Sequence, residues 1–446
     1  MKKNGSGYRE ILRQSQFMKL VAANVVNRLG DSLDALAYTW IVYQVTNSPS
    51  WTALIFGLNQ LPSILLQPVA GALVERRNKK RVMVVTDVLR GLITLGFCQL
   101  YMAGTLSGGS IAAFTLLISS VEAFRLPCGK AVLPRLLSDA HYTYGTSVND
   151  ALCTAAQLAG TGLAGVVIAL WGAQAAVFAD GITFFLSALI LSTLRLKPAE
   201  AEQKGAREEP FLQTLSGGFR YVVTRAEIRN LALLALMMNA CVVPLNSFFA
   251  VLVEDIWRQG AALMSAVNVA LVAGTLLGSV AYPLLADRMH MRRLLLLAGT
   301  LLGLALAVQP LLGALADSRL IWLGGVACFL AAGVTMTICG SAISVEIMRV
   351  VAPDYLSRVS VIFNAVGVAA MPVVSFALSA VCRAVPVPIL LISGGILFMI
   401  VMGLMAALRV RLGAPEMEKN EDEDGDQTRG QLVSGGDRAA GDQLCG

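Results

Sequence analysis

Runs of about twenty mostly apolar residues recur along the whole of this chain, twelve in all. Each is long enough to cross the hydrocarbon core of a bilayer as a helix. Hydropathy places them near 17–46, 50–73, 82–103, 109–127, 145–170, 172–195, 227–253, 260–286, 292–315, 319–347, 357–382 and 386–410. Turn residues such as Asn47-Ser48-Pro49, Ser107-Gly108-Gly109 and Pro386-Val387-Pro388 separate them. Only 14% of the 446 residues are charged, against roughly 25% in soluble proteins, too few to coat water-facing globules. The expected fold class is an all-α membrane protein with twelve transmembrane helices. A soluble enzyme, a secreted disulfide scaffold and a nucleic-acid binder are excluded.

The cationic residues orient the helices. With the N-terminus inside, 30 of the 35 Lys and Arg fall in cytoplasmic segments and 3 (Arg258, Arg319, Arg383) in external loops. Such an excess marks the cytoplasmic side, so a multi-pass protein of the cell (plasma or inner) membrane with both termini cytoplasmic is expected. The basic N-terminus lacks the short apolar core of a cleaved signal peptide, and the first helix is read as retained. The 8 cysteines form no CxxC pair and the 2 histidines, His141 and His290, fall in predicted loops, so no metal site is expected. No GxxxxGK[ST] occurs, which argues against ATP as the energy source. No cofactor is expected.

A gapless offset of 212 residues aligns the first three helices with the seventh to ninth. Asn27 falls on Asn239, Asp34 on Asn246, and Glu75-Arg76-Arg77-Asn78-Lys79-Lys80-Arg81 on Asp287-Arg288-Met289-His290-Met291-Arg292-Arg293. The expected organisation is a cytoplasmic N-terminus (1–16), a six-helix bundle (17–195), a linker (196–226), a pseudo-symmetric second bundle (227–410) and an acidic tail (411–446). In the linker, Phe211, Leu212, Leu215, Phe219 and Val222 are spaced as on an amphipathic helix lying on the membrane. The tail has the composition of a disordered segment. Two halves with a site between them allow alternating access, so a transporter of a small-molecule substrate is expected.

Ionisable residues inside the bilayer cost about 2.5–3.5 kcal/mol each at its centre and mark function by default. Helix 1 carries Asn24, Asn27, Arg28, Asp31, Asp34 and Tyr38 at steps of three and four, on one face that must border a watery cavity. Asp31 and Asp34 are the candidate proton or cation sites. Arg28 is expected to pair with Asp31 at i+3, leaving Asp34 freer to titrate; a fixed packing pair is the plainer alternative. Candidate cavity residues are Asn24, Asn27, Tyr38, Asn239, Asn246, Phe249 and Asn268. Gly160-Thr161-Gly162-Leu163-Ala164-Gly165 spells GxGxxG, but in mid-membrane it reads as close helix packing. Glu254-Asp255 reads as a solvated rim, and Asn149 and Asp180 as structural positions near helix ends.

Gly71-Ala72-Leu73-Val74-Glu75-Arg76-Arg77-Asn78-Lys79-Lys80 resembles the loop 2–3 signature of the major facilitator superfamily. Gly30-Asp31-Ser32, Phe124-Arg125-x-Pro127, Phe178-x-Asp180 and Arg349-x-x-x-Pro353-Asp354 resemble its macrolide-efflux and enterobactin-exporter branch. Asn78 stands where the signature has glycine, a place an asparagine can take through its tolerance of left-handed backbone. Helix 5 lacks the Gly-Pro pair of many family exporters. The resemblance implies the major facilitator fold. It assigns Glu75, Arg76, Lys79, Lys80, Asp87, Arg90, Glu122 and Arg125, with Asp287 and Arg288 of the second loop, to a charge network that gates the halves. It also implies a proton-coupled exporter of amphipathic or cationic small molecules, whose partners are protons, the lipid bilayer and the substrate, and a monomer is expected. The rivals are a facilitator of a lipid-like, siderophore or metabolite substrate without antiport, and, remotely, a polytopic membrane enzyme.

Overall fold

The computed structural model describes residue 11 and residues 13–75, 78–137, 139–195, 222–315, 317–351 and 353–407. Twelve long helices run through them: α1 Ser15–Thr46, α2 Pro49–Glu75, α3 Lys79–Met102, α4 Gly108–Leu136, α5 Asp139–Trp171, α6 Ala173–Ser192, α7 Ala226–Ser247, α8 Ala261–Ala286, α9 Met291–Val308, α10 Ser318–Val350, α11 Pro353–Val381 and α12 Val387–Ala407. The expected spans match them to within a few residues, except where α4, α5, α10 and α11 continue past the apolar stretch and where α7 and α9 end early, at Ser247 and Val308. A π-turn (Leu252–Ile256) and a 3-10 turn (Gln309–Ala314) take up the rest of those two expected spans. The amphipathic stretch from 211 to 221, the acidic tail, Arg76 and Arg77 lie outside the described residues.

Local chemistry sets the ends. Asn47 takes left-handed backbone (φ 48°) and its N–H closes α1 onto the Tyr43 carbonyl at 2.7 Å; Pro49 then starts α2. Gly172 at φ 82° makes the sharp α5–α6 turn. Asn78 corrects an expectation. Its φ is −69°, not left-handed, and its side chain accepts from the Arg81 N–H at the start of α3. It serves there as a helix cap, which a glycine cannot do with a side chain.

Nine helices among the described residues are long and apolar enough to cross a membrane by length and composition; α1 is interrupted by Lys19, Arg28, Asp31 and Asp34. The surface supports the same conclusion. Val280 and Leu323 are 68% and 70% exposed, whereas Asp87, Asp180, Arg90 and Arg125 are buried. Water would invert that arrangement, and lipid chains, as apolar as leucine, do not.

The internal repeat is visible in the packing. In the first half α1 packs on α5 and α6, α2 on α4, and α3 on α4 and α6; in the second, α7 packs on α11 and α12, α8 on α10, and α9 on α10 and α12. Adding six to each first-half label gives the second. The halves meet along α2–α11 and α5–α8, pairs that exchange under the same operation. Small residues permit these approaches. Gly160 lies against the Leu29 carbonyl of α1, and Gly165 against Ser265 of α8, so the GxGxxG run is a packing surface.

The α8–α10 contact is tighter still. A Cβ on Gly333 would meet the Leu271 carbonyl, and one on Gly274 the Leu330 carbonyl. Backbone cannot step aside as a side chain can, so Gly333→Ala should cost about 1–3 kcal/mol. A thermal-shift comparison of the purified proteins would show it as a lowered midpoint, and an unchanged midpoint would mean the two helices separate freely.

Candidate functional site

Between the halves lies a cavity of about 370 Å³. Arg28, Asp31, Asp34, Tyr38, Thr39 and Val42 of α1 line one wall, with Thr52, Phe56 and Asn59 of α2, Arg90 of α3 and Glu122 of α4; Asn246 and Ser247 of α7 face them. The three- and four-residue steps on α1 deliver one side chain per turn to this wall.

The Arg28–Asp31 pairing expected from spacing is not what forms. Arg28 donates to the Gln157 Oε1 of α5 at 3.1 Å, and Asp31 takes the buried Arg90 at 2.9 Å. Neighbours on other helices outcompete a partner on the same one here. Arg90 also faces Glu122 at 3.9 Å and sits 4.1 Å over the Phe184 ring. Arg90 and Glu122, assigned with the loop network, therefore stand on the cavity wall. Asp31 and Glu122 share one guanidinium, and Asp34 forms none of the ion pairs found among the described residues. Its Oδ1 is buried and has no hydrogen-bond partner. A buried carboxylate oxygen without a donor is costly unless something else supplies one.

Behind this wall, Arg125 donates to Asp87 at 3.0 Å, Ser187 donates to the other Asp87 oxygen at 2.7 Å, and Arg125 reaches the Asn24 carbonyl oxygen at 3.2 Å. Asn24 in turn donates to Asn149. Asn24 thus belongs to a buried network inside the first half rather than to the cavity wall. Asn27 is buried with its Oδ1 unpartnered, and Asp180 is buried mid-helix on α6 with Thr183 bonded to it. A Cβ on Gly30 would run into both Asp180 and Thr183.

Of the second-half candidates, Asn246 lines the cavity. Asn239 bonds back to the Ala235 carbonyl of its own helix, Phe249 packs on Phe329 with centroids 5.5 Å apart, and neither it nor Asn268 is on the described wall. The cause is visible in α7. After Pro244 the backbone leaves the helix at Phe248 (φ −113°, ψ 21°) and resumes through a π-turn at Leu252–Ile256, so helical counting fails past Ser247. Among the loop residues, Lys79 is buried and Lys80 half-buried, while the side chain of Glu75 lies outside the described set. Asp287 and Arg288 line a separate hollow with His290 and Arg349.

Sequence reading missed a bridge. Tyr43 donates to Asp255, and Gln44 to Glu254, from one half to the other; the expected solvated rim is in fact bonded. Tyr43 and Asp255 differ by 212 in number, the repeat offset itself. Equivalent positions face each other across the pseudo-twofold axis, and that was the available signal. Near the same end of the molecule, Ser265 donates to the Thr161 carbonyl, Ser50 to the Ser379 carbonyl at 2.7 Å, and Ser375 to the Ala53 carbonyl at 2.5 Å.

Comparison with known proteins now bears on this geometry. A family model described as "transmembrane secretion effector" matches residues 8–435. The chain belongs to that family of the major facilitator superfamily. The chain is 25% identical over 303 residues to the multidrug efflux pump Tap of Mycolicibacterium fortuitum, covering 66% of the chain and 73% of the pump. It is 20% identical over 279 residues to the staphyloferrin A transporter of Staphylococcus aureus, covering 62% and 69%. Among solved structures, the nucleoside transporter NupG superposes with a TM-score of 0.74 at 10% identity, covering 89% of this chain and 99% of that one. A bacterial homologue of ferroportin in its inward-facing state gives 0.66 at 14%, covering 88% and 98%. These structural likenesses establish the fold. The chain is a multi-pass membrane transporter of twelve helices in two pseudo-symmetric bundles.

Proposed function

We propose that this transporter exports amphipathic or cationic small molecules across the cell membrane by alternating access, in exchange for protons. Asp34 is the coupling carboxyl, and the Asp31–Arg90–Glu122 group is the fixed charge beside it. The observation that carries the reading is the buried, donorless Oδ1 of Asp34 on the wall of the central cavity. A proton or a substrate donor satisfies that atom, and both cannot do so at once, which is the requirement for exchange. The efflux activity in the name of the Tap relative supports the direction of transport. The Lys and Arg distribution supports cytoplasmic termini. The uncharged remainder of the wall, polar at Tyr38, Thr39, Asn59 and Asn246 and apolar at Val42, Ile55, Phe56 and Ile118, supports recognition of amphipathic molecules. Transport rather than enzymatic turnover is the activity, and resistance to a toxic substrate would follow from it.

In that orientation the bridging bonds lie at the external end, where they support a cytoplasm-facing reading of this state. The Tyr43–Asp255 and Gln44–Glu254 bridges then act as the external latch. Hydrogen bonds to charged groups contribute about 1.5–3 kcal/mol, so Tyr43→Phe should shift the balance toward the outward-facing state by about tenfold or more. A cysteine at Thr39 in a cysteine-free background should react faster with an impermeant external maleimide. An unaltered rate would deny the bridge a latching role. The coupling itself is tested by the Asp34 substitution argued below.

A further inference from the structure

Beside the central cavity, and inside the first half alone, lies a side pocket of about 60 Å³. Asp34 and Tyr38 line both spaces, so the pocket opens from the cavity between them. Its walls are aromatic: Tyr38 and Phe97 have centroids 5.1 Å apart, and Phe114 meets Phe97 edge-on at 5.7 Å. The Tyr38 hydroxyl is occupied by Thr115 at 2.5 Å, which fixes the ring. Two oxygens are left over. Asp34 Oδ1 and Thr94 Oγ1 are both buried without a partner, and Thr94 itself is 3% exposed.

We infer that this pocket is a subsite for the protonated amine group of a substrate. The inference rests on the exporter reading above and names the chemistry that reading leaves open. The pocket joins one carboxylate, one unsatisfied hydroxyl and three aromatic rings. An anion is repelled by Asp34. An alkyl group leaves both oxygens unsatisfied, at the full desolvation cost of each. An alcohol can donate to one oxygen and accept from the Thr94 hydroxyl, but it brings no charge to the carboxylate or the rings. An ammonium donates to the oxygens, pairs with the carboxylate and is attracted to the negative ring faces. The nearest cation, Arg90, does not compete for this role, because Asp31 and Glu122 engage it. Size sets a further limit. At roughly 10–15 Å³ for each water-sized occupant, the pocket takes about four to six non-hydrogen atoms, the size of a primary ammonium with its first three or four methylenes, while the apolar body of the substrate stays in the larger cavity.

The test is equilibrium binding to the full-length protein in lipid nanodiscs, without gradients. Two dansylamide probes are compared by fluorescence anisotropy: one with a 4-aminobutyl arm and its carbon isostere with a pentyl arm. The readout is the ratio of their affinities. Wild type should favour the amine by about tenfold or more. Thr94→Leu, which fills the pocket, and Phe97→Leu, which removes a ring face, should each reduce that ratio at least threefold, judged on variants that elute as monodisperse species. A wild-type ratio near one, a ratio that neither variant reduces, or no binding of the amine probe at millimolar concentration overturns the subsite. Because no gradient or flux is involved, the subsite can fail while proton-driven efflux stands, and efflux can fail while the ratio stands.

Discussion

Asp34→Asn should abolish gradient-driven transport while leaving the protein folded and able to bind an uncharged dye. In everted vesicles energised by a proton gradient, dye uptake by the variant should fall to the level of vesicles lacking the transporter, a loss of about tenfold or more. Exchange of labelled for unlabelled dye across de-energised proteoliposomes should persist. The asparagine has nearly the same shape and an amide that can donate, so it removes the exchangeable proton and keeps a satisfied group in the cavity. Stability should not drop, because a buried charge without a cation of its own is being replaced by a neutral amide. The groups around it are Asp31 on the same helix, Arg90 on α3, Glu122 on α4 and Asp180 on α6. Two outcomes would displace the reading. Retained proton-driven uptake would move the coupling to Glu122 or Asp180. Gradient-independent movement in wild type and variant alike would make the chain a facilitator.

A second substitution should act mainly on the fold. Arg90→Gln strips the cation from Asp31 and Glu122, which face it at 2.9 and 3.9 Å. Breaking a buried pair by removing one partner costs about 3–5 kcal/mol, since the remaining charge is left uncompensated. The variant should show a markedly lower thermal midpoint and poor yield. Adding Asp31→Asn to it should recover part of the loss, because the closer of the two orphaned charges is gone. Failure of the double variant to recover would mean that Arg90 contributes chiefly through its stacking on Phe184. Arg90→Lys should not substitute fully, as an ammonium lacks the planar fork that reaches two carboxylates and covers a ring at once.

The helices, their order and the two-half repeat were legible because hydropathy and the 212-residue offset are properties of the chain itself. The stripe on α1 was legible for the same reason, and Asp31, Asp34, Tyr38 and Arg28 do line the cavity. What sequence did not reveal was pairing. Spacing placed Arg28 next to Asp31, but a helix packed among three others has closer partners than its own next turn, and Arg90 and Gln157 come from α3 and α5. Counting also failed after Pro244, where the irregular backbone at Phe248 and the π-turn turn Phe249 toward Phe329. The side pocket could not be anticipated at all, because Phe97, Phe114 and Thr94 each look like ordinary lining of an apolar helix until three helices bring them around Asp34.

The seam between the halves has a mechanical consequence. Among the described residues its hydrogen bonds gather near one end, and glycines take part in its contacts, with Gly57 against Phe376, Gly162 near Val269 and Gly165 against Ser265. At those points one partner has no side chain to withdraw when one bundle rolls on the other. Helices of 27 to 33 residues such as α2 and α5, at 1.5 Å per residue, are levers about 40–50 Å long. A rotation of about ten degrees about the bonded end sweeps the far end through about 7–9 Å, wide enough to pass an aromatic ring. In the alternating-access reading proposed above, the serine and glycine seam would work as a bearing, and the long helices would turn a small change at its bonded end into an opening the size of a molecule at the other.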